Sequence, residues 1–345
     1  MGFIELNYTY SDLRLSVKSL IEEIEYGSTF ALYPDREDVV PNRSDYLRWV
    51  EWDESGEKLS IRVDDSFWEE GFFFEKFLTV FVLNFIDFGH LRLQRINLQY
   101  STLKHSIQAH SPLKIPHGKY LTGSIFKPYY HLSLKEKMKQ AELYVDNGIN
   151  VLKNDECFFT TQSDMLEEAQ SIANIVMGRA YYVPNITSYI YDDQFIEKLM
   201  EMNIDICMVD FFVAGFRQVS RLKKKYPRLR IWGHRIGYDI WKNNISMQAV
   251  CVLGLLSGID LMHIGTPQTP SLLQEQYDLV SRLRNLKPDF MPIFTKTTPE
   301  LIKELLPVFG NRAIYMACGY FRDNEGDINW NQVKEWCGIF KKNEV

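Results

Sequence analysis

The feature that most constrains the fold is a series of eight short β-favouring runs between residues 123 and 318, separated by helix-like segments. Strands that alternate with helices predict parallel pairing, because a parallel neighbour can be reached only by a crossover connection. Eight such units in about 200 residues predict a closed (β/α)8 TIM barrel rather than an open sheet. No GxGxxG motif follows the first run, which further disfavours a dinucleotide-binding sheet. The runs are "GSIFK" (123–127), "INVLK" (149–153), "AYYVP" (180–184), "DICMVD" (205–210), "LRIWGH" (229–234), "IDLMHI" (259–264), "DFMPIFT" (289–295) and "RAIYMAC" (312–318).

The N-terminal part of the chain has a different order of elements. Its hydrophobic patterns predict a βαββαβ sequence, which is the order of a ferredoxin-like α+β domain. A polar, proline-containing stretch, "HSPLKIPHGKY" (110–120), predicts a linker. We therefore expect a ferredoxin-like domain at 1–110 and a catalytic barrel at 121–345. The predicted strands are 3–10, 28–34, 58–63 and 91–100, and the predicted helices are 11–25, capped by Ser11, and 72–88.

Composition limits the classes of partner. The formal net charge is −6, and the one basic cluster, "RLKKKYPRLR" (221–230), is short, so nucleic acid is not an expected partner. The apolar cluster "FLTVFVLNFIDF" (77–88) is too short to span a bilayer, and no membrane association is expected. Five scattered cysteines without a CxxC motif, and an N-terminus without a signal-peptide pattern, predict a cytoplasmic protein.

Reactive side chains recur where the predicted barrel strands end. In a (β/α)8 barrel the carboxyl ends of all eight strands form one mouth, and active sites lie there. A random scatter of polar residues would not fall so regularly at strand ends, so we interpret the set as functional. Asp210 can also be a simple helix N-cap, and both interpretations stay open for it. The set comprises Lys127, Lys153, Asp155, Glu156, Asp210, His234, Arg235 and His263.

The end of the second run, "VLKNDE" (151–156), carries its own chemical hypothesis. Side chains alternate along a strand, so Lys153 and Asp155 point to the same side, and Glu156 can join them if the strand ends there. Two carboxylates can hold Mg²⁺, which prefers oxygen ligands. An ammonium would repel the metal, but a neutral amine can take up CO2 and offer the carbamate as a third anionic ligand. From these residues alone, a metal site and a plain ion pair at the barrel rim both remain open.

Several motifs in one order resemble a known family. "GSIFKPYYHLS" (123–133) and "LKNDE" (152–156) are similar to the "KPKxGLS" and "KDDE" segments of the ribulose bisphosphate carboxylase (RuBisCO) large chain. The resemblance covers most of the chain, and the series of motifs is more specific than any one of them. Further segments that match in order are "EEIEYGST" (22–29), "FVLNFIDFG" (81–89), "YYVPNITSY" (181–189), "VDFFVAGF" (209–216), "HR" (234–235) and "LLSGIDLMHIGT" (255–266).

The resemblance implies a role for each residue that matches a family motif. Lys153 would be a carbamylated ligand of Mg²⁺, with Asp155 and Glu156 beside it. Lys127 would donate or accept a proton over the substrate, and His234 would contact a substrate hydroxyl or carbonyl.

The resemblance also implies where anions and a partner subunit bind. Arg235 and His263 would bind a phosphate or a similar anion. Glu23 and Asn84 would reach into the site from the N-terminal domain of a partner, because each site of that family lies at a dimer interface. The chain is therefore expected to form a homodimer.

Departures from the family pattern narrow the expected activity. Tyr129 replaces the second lysine of "KPK", and the loop "TPQTPSLL" (266–273) lacks the mobile lysine that steadies a carboxylated intermediate, so carbon fixation is not expected. Glycines that cradle a phosphate are replaced in "IFTKT" (293–297) and depleted in "MACGYF" (316–321). The residues left there to bind a single anion are Thr295, Lys296, Thr297 and Gly319.

The family chemistry that remains is enolisation. The first hypothesis is a Mg²⁺-dependent enolase or ketose isomerase that acts on a phosphorylated or otherwise anionic keto sugar, as RuBisCO-like proteins do in methionine (methylthioribose) salvage. The second keeps metal-enolate chemistry on a non-phosphorylated substrate in sugar-acid or specialised metabolism. The third is a non-catalytic descendant that binds a ligand, and the lysines, carboxylates and histidines at the strand ends count against it.

Overall fold

The computed structural model divides the chain into two compact units. One comprises Met1–Gln108 and Gly237–Ser257, and the other Ala109–Ile236 and Gly258–Val345. The predicted strand at 28–34 and the side chains of Glu23, Asn84 and Glu156 lie outside the described residues. The structure describes residues 2–11, 16, 49–55, 57–65, 73–83, 90–107, 113–114, 119–127, 129–155 and 161–343.

The first unit contains a four-stranded antiparallel sheet with the order β2-β3-β1-β4. Alternate residues of β1, among them Ile4, Leu6 and Tyr8, are buried, which is the period of two expected of a strand with one covered face. Ser11, predicted as a helix cap, is instead the last residue of β1. The elements are β1 (Phe3–Ser11), β2 (Trp49–Ser55), β3 (Lys58–Asp64), helix α1 (Phe73–Leu78) continued by a π-helical turn (Thr79–Leu83), β4 (His90–Asn97) and a 3-10 turn (Thr102–Ser106).

A segment from later in the chain also belongs to this unit. This segment is Gly237–Ser257, which the sequence analysis places within the barrel domain. It contains helices α7 (Tyr238–Trp241) and α8 (Met247–Ser257), numbered by their position in the chain. Leu93 of β4 forms a parallel bridge with Ile245, and the Leu93 amide donates to the Asn244 carbonyl over 2.8 Å. The first unit is therefore built from two separate parts of the chain, and the second part contacts the sheet at β4.

The second unit is the predicted (β/α)8 barrel. Its parallel sheet has the order β7-β6-β5-β12-β11-β10-β9-β8, and a bridge between Asn185 and Met208 joins the two outer strands into a ring. Seven of the predicted runs contain an observed strand, and the first, 123–127, overlaps β5. The strands are β5 (Leu121–Ile125), β6 (Val151–Lys153), β7 (Tyr181–Val183), β8 (Ile206–Asp210), β9 (Arg230–His234), β10 (Leu261–His263), β11 (Met291–Phe294) and β12 (Ile314–Met316).

The barrel helices begin at recognisable caps. Ser133 and Glu136 form a reciprocal capping box at the start of α2, and the side chains of Thr161, Asp192 and Thr298 accept from first-turn amides. Among the described helices, none is both long enough and apolar enough to cross a membrane. The helices are α2 (Leu134–Asp146), α3 (Gln162–Val176), α4 (Asp193–Glu201), α5 (Phe211–Ala214), α6 (Phe216–Lys225), α9 (Pro270–Leu286), α10 (Pro299–Phe309) and α11 (Trp330–Lys342).

The barrel interior positions the candidate site. Apolar side chains from all eight strands form one buried cluster, which includes Val151, Met208, Trp232 and Leu261. Successive strand residues point to opposite faces, so the residue two positions after each of these also points into the barrel. Those residues are polar and end their strands: Lys153, Asp210, His234 and His263.

A buried ion cluster lies at the opposite, N-terminal end of the strands. Asp260, which immediately precedes β10, accepts from the Lys223 ammonium over 2.8 Å and from the Ile231 amide over 2.9 Å. The Lys287 ammonium lies 3.1 Å from the other Asp260 oxygen. All three charged side chains are at most 6% exposed. Because the cluster lies at the end of the barrel opposite the candidate site, we expect it to affect the folding stability of the barrel.

Candidate active site

Lys153, Asp155 and Lys127 meet at the adjoining ends of β5 and β6. Lys153 is 1% exposed, and its ammonium donates to the carbonyl of Asn154 over 3.1 Å. Asp155 is 8% exposed, and its Oδ2 lies 3.4 Å from the Nζ of Lys127. The Lys127 side chain is half-buried. The main-chain carbonyl of Lys127 accepts a hydrogen bond from the Arg322 guanidinium. Lys127 and Asp155 thus form an ion pair next to the strand end that carries the buried Lys153.

Two histidines lie at the ends of β9 and β10. The rings of His234 and His263 meet edge to face, with centroids 4.8 Å apart and planes at 83°. His263 is buried, and its Nε2 has no hydrogen-bond partner among the described residues. Burial, helped by the positive charges of His234, Lys153 and Arg235, holds the pKa of His263 well below its usual value. A neutral His263 contacts an anion as an N–H donor rather than as a cation.

This lowered pKa predicts an acid-sensitive stability. An unfolded histidine titrates near pH 6.5, so the unfolded chain takes up this proton before the folded chain does as the pH falls. The contribution of neutral His263 is therefore complete above about pH 6.5 and is lost below it, by at most about 1.4 kcal/mol per pH unit. Urea unfolding at pH 7.5 and 5.5 measures the effect. His263→Gln should reduce the acid-induced loss, and His131→Gln, at an exposed histidine, should not. An equal loss in all three proteins would contradict the prediction.

Tyr129, which stands where the family pattern has a lysine, is buried and directs its hydroxyl to Glu168. Its hydroxyl donates to Glu168 over 2.5 Å, and Tyr182 and Lys137 donate to the same carboxylate over 2.5 and 2.7 Å. The Lys137 ammonium also lies 3.4 Å from the centre of the Tyr129 ring. Burial and the nearby Glu168 charge raise the pKa of Tyr129, so the phenol remains a donor. Tyr129 thus links the turn after β5 to Glu168 of α3.

The loops after β11 and β12 carry the predicted anion-binding residues. Thr297 is fully buried, and its hydroxyl donates to the Met316 carbonyl over 2.8 Å, which commits that group within the protein. The Thr295 amide donates to the Thr266 hydroxyl over 3.0 Å. Lys296, with φ of 56°, and Gly319 are exposed. Lys296 and Gly319 are therefore accessible to an anion, and Thr297 is not.

No profile of a known protein family matches the chain. The ribulose bisphosphate carboxylase of Thermococcus kodakarensis is 28% identical over 193 residues, which are 50% of this chain and 43% of that protein. The octameric RuBisCO of Pyrococcus horikoshii superposes with a TM-score of 0.77 at 19% identity, over 100% of this chain and 91% of that one. The RuBisCO-like protein MtnW of Alicyclobacillus acidocaldarius superposes with a TM-score of 0.71 at 20% identity, over 100% of this chain and 94% of that one.

The chain is thus similar in sequence to a ribulose bisphosphate carboxylase over half of its own length. The aligned segment spans less than half the length of the Thermococcus relative. The two solved structures share the fold of this chain, a TIM barrel preceded by a small sheet domain.

Two of the three metal ligands that the family resemblance implies lie within the described residues. Asp155 and a carbamate on Lys153 would offer oxygens, which hard cations prefer, at adjoining buried positions. The buried Nδ2 of Asn154, between them in sequence, has no hydrogen-bond partner among the residues described. No group of three or more His, Cys, Asp or Glu side chains that could hold a metal occurs in the described part, and Glu156 lies outside it. The donor chemistry of these residues fits Mg²⁺.

Three residues near the site were not singled out in the sequence. Asn185 follows β7 by two positions and bonds to Asp210 through its Nδ2 over 2.8 Å. Thr187 bonds to the same carboxylate oxygen over 3.1 Å. Arg322 joins the loop after β12 to the Lys127 carbonyl. The alternation of β7 could have pointed to Asn185, because Val183 lies in the barrel interior and the residue two positions later continues on that side.

Proposed function

We propose that this protein is a RuBisCO-like enolase or isomerase that removes a proton next to the carbonyl of an anionic keto sugar, with Mg²⁺ and a carbamate on Lys153, and does not fix CO2. The observation that carries the proposal is the buried Lys153 and Asp155 pair with the Lys127 ammonium 3.4 Å from the carboxylate. A positioned amine beside a metal-binding carboxylate is suited to moving a proton at carbon.

The charges at the barrel mouth support an anionic substrate. Apart from Lys153 with its proposed carbamate, the cationic side chains assigned to this end of the barrel are Lys127, Arg235 and Lys296, and the carboxylates described there are those of Asp155 and Asp210. Cations in a cleft with low-dielectric walls raise the local concentration of an anionic substrate. A phosphorylated keto sugar, as in the methionine (methylthioribose) salvage pathway that the family resemblance implies, is the first candidate.

Each chain residue then has a defined task. Lys127 would move the proton at the carbon next to the carbonyl, and Arg235 and the exposed Lys296 would hold the anionic group. The neutral His263 would donate an N–H to the substrate. When bound, Mg²⁺ supplies Lewis-acid polarisation of the carbonyl. We also propose the homodimer, in which Glu23 and Asn84 of one subunit complete the site of the other.

The loop after β10 supports enolisation without carboxylation. Residues 264–281 contain no lysine or arginine. Negative charge that develops when CO2 adds to the enediolate would therefore have no cation from this loop to stabilise it. Enolisation requires no such cation.

A second candidate keeps the chemistry and changes the substrate. The Thr297 hydroxyl is committed to the Met316 carbonyl, and the glycines that would let main-chain amides approach a phosphate are replaced in this loop. Both observations favour a substrate with a carboxylate or hydroxyl in place of a second phosphate, as in sugar-acid or specialised metabolism.

Hydrogen exchange at carbon tests the proposal. The protein, preincubated with Mg²⁺ and bicarbonate, is mixed in D2O with keto-sugar phosphates and keto-sugar acids, and loss of the α-proton signal is followed by NMR. We expect exchange with at least one anionic keto sugar, abolished by EDTA. Lys127→Ala should slow it by roughly 10²–10⁴-fold, the usual contribution of a positioned proton-transfer group.

The matched control is Lys135→Ala, which removes an exposed lysine from α2 and should exchange like the wild type. The substrate that exchanges decides between the two candidates. If the wild type binds Mg²⁺ and exchanges no compound of the panel, enolisation is wrong and the non-catalytic alternative takes its place. Incorporation of labelled bicarbonate into product would contradict the absence of carboxylation.

A further inference from the structure

The Asp210 carboxylate at the end of β8 is the centre of a hydrogen-bond network. Its Oδ1 lies 2.7 Å from Nδ1 of His234. Its Oδ2 accepts from the Asn185 amide group over 2.8 Å and lies 3.1 Å from the Thr187 hydroxyl oxygen. Asp210 is only 5% exposed. An ionised carboxylate only accepts hydrogen bonds, so the His234 ring must place its proton on Nδ1 to satisfy this contact.

The orientation of Asn185 is fixed by its own partners. Its Oδ1 accepts from the amide of Thr187 over 2.9 Å and from the Thr187 hydroxyl over 2.6 Å. Its main-chain amide donates to Oδ1 of Asn154 over 2.7 Å. Because an N–H always donates, the Asn185 oxygen faces Thr187, and its NH2 group faces Asp210. The network runs from the end of β6 to the end of β9.

The alternative role for Asp210, a helix N-cap, is not what its side chain does. Helix α5 begins at the next residue and is four residues long. The Asp210 side chain makes no capping hydrogen bond to it. Its oxygens instead form hydrogen bonds with Asn185, which follows β7, and with His234 of β9.

We propose that Asp210 is a positioning residue that holds His234 in the Nδ1–H tautomer and so makes Nε2 the proton-accepting nitrogen of the ring. The carboxylate fixes both the tautomer and the rotation of the ring, whose edge-to-face neighbour is His263 at 4.8 Å. In the proposed enolisation, on which this part rests, Nε2 accepts a proton from a substrate hydroxyl next to the reacting carbon. Asp210 then stabilises the imidazolium that results, and the proton returns from Nε2 to the substrate oxygen.

Asp210→Asn inverts the predicted tautomer while it preserves shape. The Asn185 NH2 group still donates towards the Oδ2 position, so the new amide oxygen takes that position. The new NH2 group must then face His234, and Nδ1 has to accept. The proton of the ring moves to Nε2, which becomes a donor and loses its capacity as a base.

The test is the 15N spectrum of the histidine rings at pH 8, with the His234 signals assigned from His234→Gln. We expect a protonated Nδ1 in the wild type and a protonated Nε2 in Asp210→Asn. With the substrate that exchanges, kcat should fall by roughly 10²–10⁴-fold with little change in KM, because only the proton-transfer step loses its base. Asp239→Asn, at a side chain that is 89% exposed, should alter neither measurement.

The tautomer separates this inference from the proposed function. A protonated Nε2 in the wild type, or an unchanged tautomer in a folded Asp210→Asn protein, overturns it whatever the activity. If Asp210→Asn does not fold, the wild-type spectrum alone decides. A change of tautomer in a protein without exchange activity leaves the positioning role intact and rejects only the enolisation. A change of tautomer with unaltered kcat rejects the base role of His234.

Discussion

Lys153→Ala is expected to slow proton exchange by about a thousandfold or more. Lys153 is 1% exposed at the end of β6, two positions before Asp155, whose carboxylate lies 3.4 Å from the Lys127 ammonium. If Lys153 carries the carbamate, its removal takes away one anionic ligand of Mg²⁺ and the amine that binds CO2. A metal that polarises a carbonyl stabilises the transition state by several kcal/mol, and each lowering of the activation free energy by about 1.4 kcal/mol raises the rate tenfold.

A second measurement distinguishes loss of the carbamate from general damage. With 13C-labelled bicarbonate and Mg²⁺, the wild type should show a carbamate signal that is absent from Lys153→Ala and retained in Lys135→Ala. Lys153→Met, which fills more of the same buried volume, should behave like the alanine variant in both measurements. Exchange at the wild-type rate in Lys153→Met would show that the lysine is not a metal ligand.

Asp260→Asn is expected to lower the free energy of unfolding by about 3–5 kcal/mol, the range for breaking a buried ion pair. Asp260 is the shared partner of two buried ammonium groups, those of Lys223 and Lys287. Lys287 keeps a second carboxylate, that of Asp289, at 3.6 Å, whereas the other partner of Lys223 is the neutral carbonyl of Leu229. Burial already lowers the pKa of Lys223, and Asp260 opposes that shift. Without Asp260, the protein must bury an uncompensated charge or release a proton.

Urea unfolding measures the change, which also corresponds to roughly a 10 °C lower melting temperature. The matched control is Asp193→Asn, which removes a carboxylate from an exposed ion pair with Lys225, at 48% and 47% exposure. Exposed pairs contribute little because water and salt screen them. Equal stability changes in the two variants would contradict a stabilising role for the buried cluster.

The barrel was predictable because its signals are local. Each β-favouring run contains or overlaps an observed strand, and polar residues at the run ends meet in two places, Lys127 with Asp155 and His234 with His263. The first run was placed two residues too late, since Phe126 and Lys127 continue its pattern after β5 ends at Ile125. Strand β2 (Trp49–Ser55) was not predicted. Three acidic residues interrupt its apolar pattern, and its antiparallel pairing with β3 is a contact that local propensity does not contain.

The function of individual polar residues was less predictable. Asp210 could be read equally well as a cap or as a supporting residue, and its contact with His234, 24 residues away, decides for the second. Tyr129 could be recognised as a departure from the family, but not as a partner of Glu168, 39 residues away. Hydrogen-bond partners depend on which side chains the fold brings within about 3 Å, and strand periodicity carries no such information.

The sequence by itself determined the barrel, the number and order of its strands, and the collection of lysines, carboxylates and histidines at one end of them. These follow from periods of two and 3.6 residues and from turn residues, which act over a few positions of the chain. Only the tertiary structure decided that Asp210 orients His234, that Tyr129 faces Glu168, and that Asp260 joins two buried lysines. Those pairings depend on distances and burial between strands, and the chain acquires both only when the barrel closes.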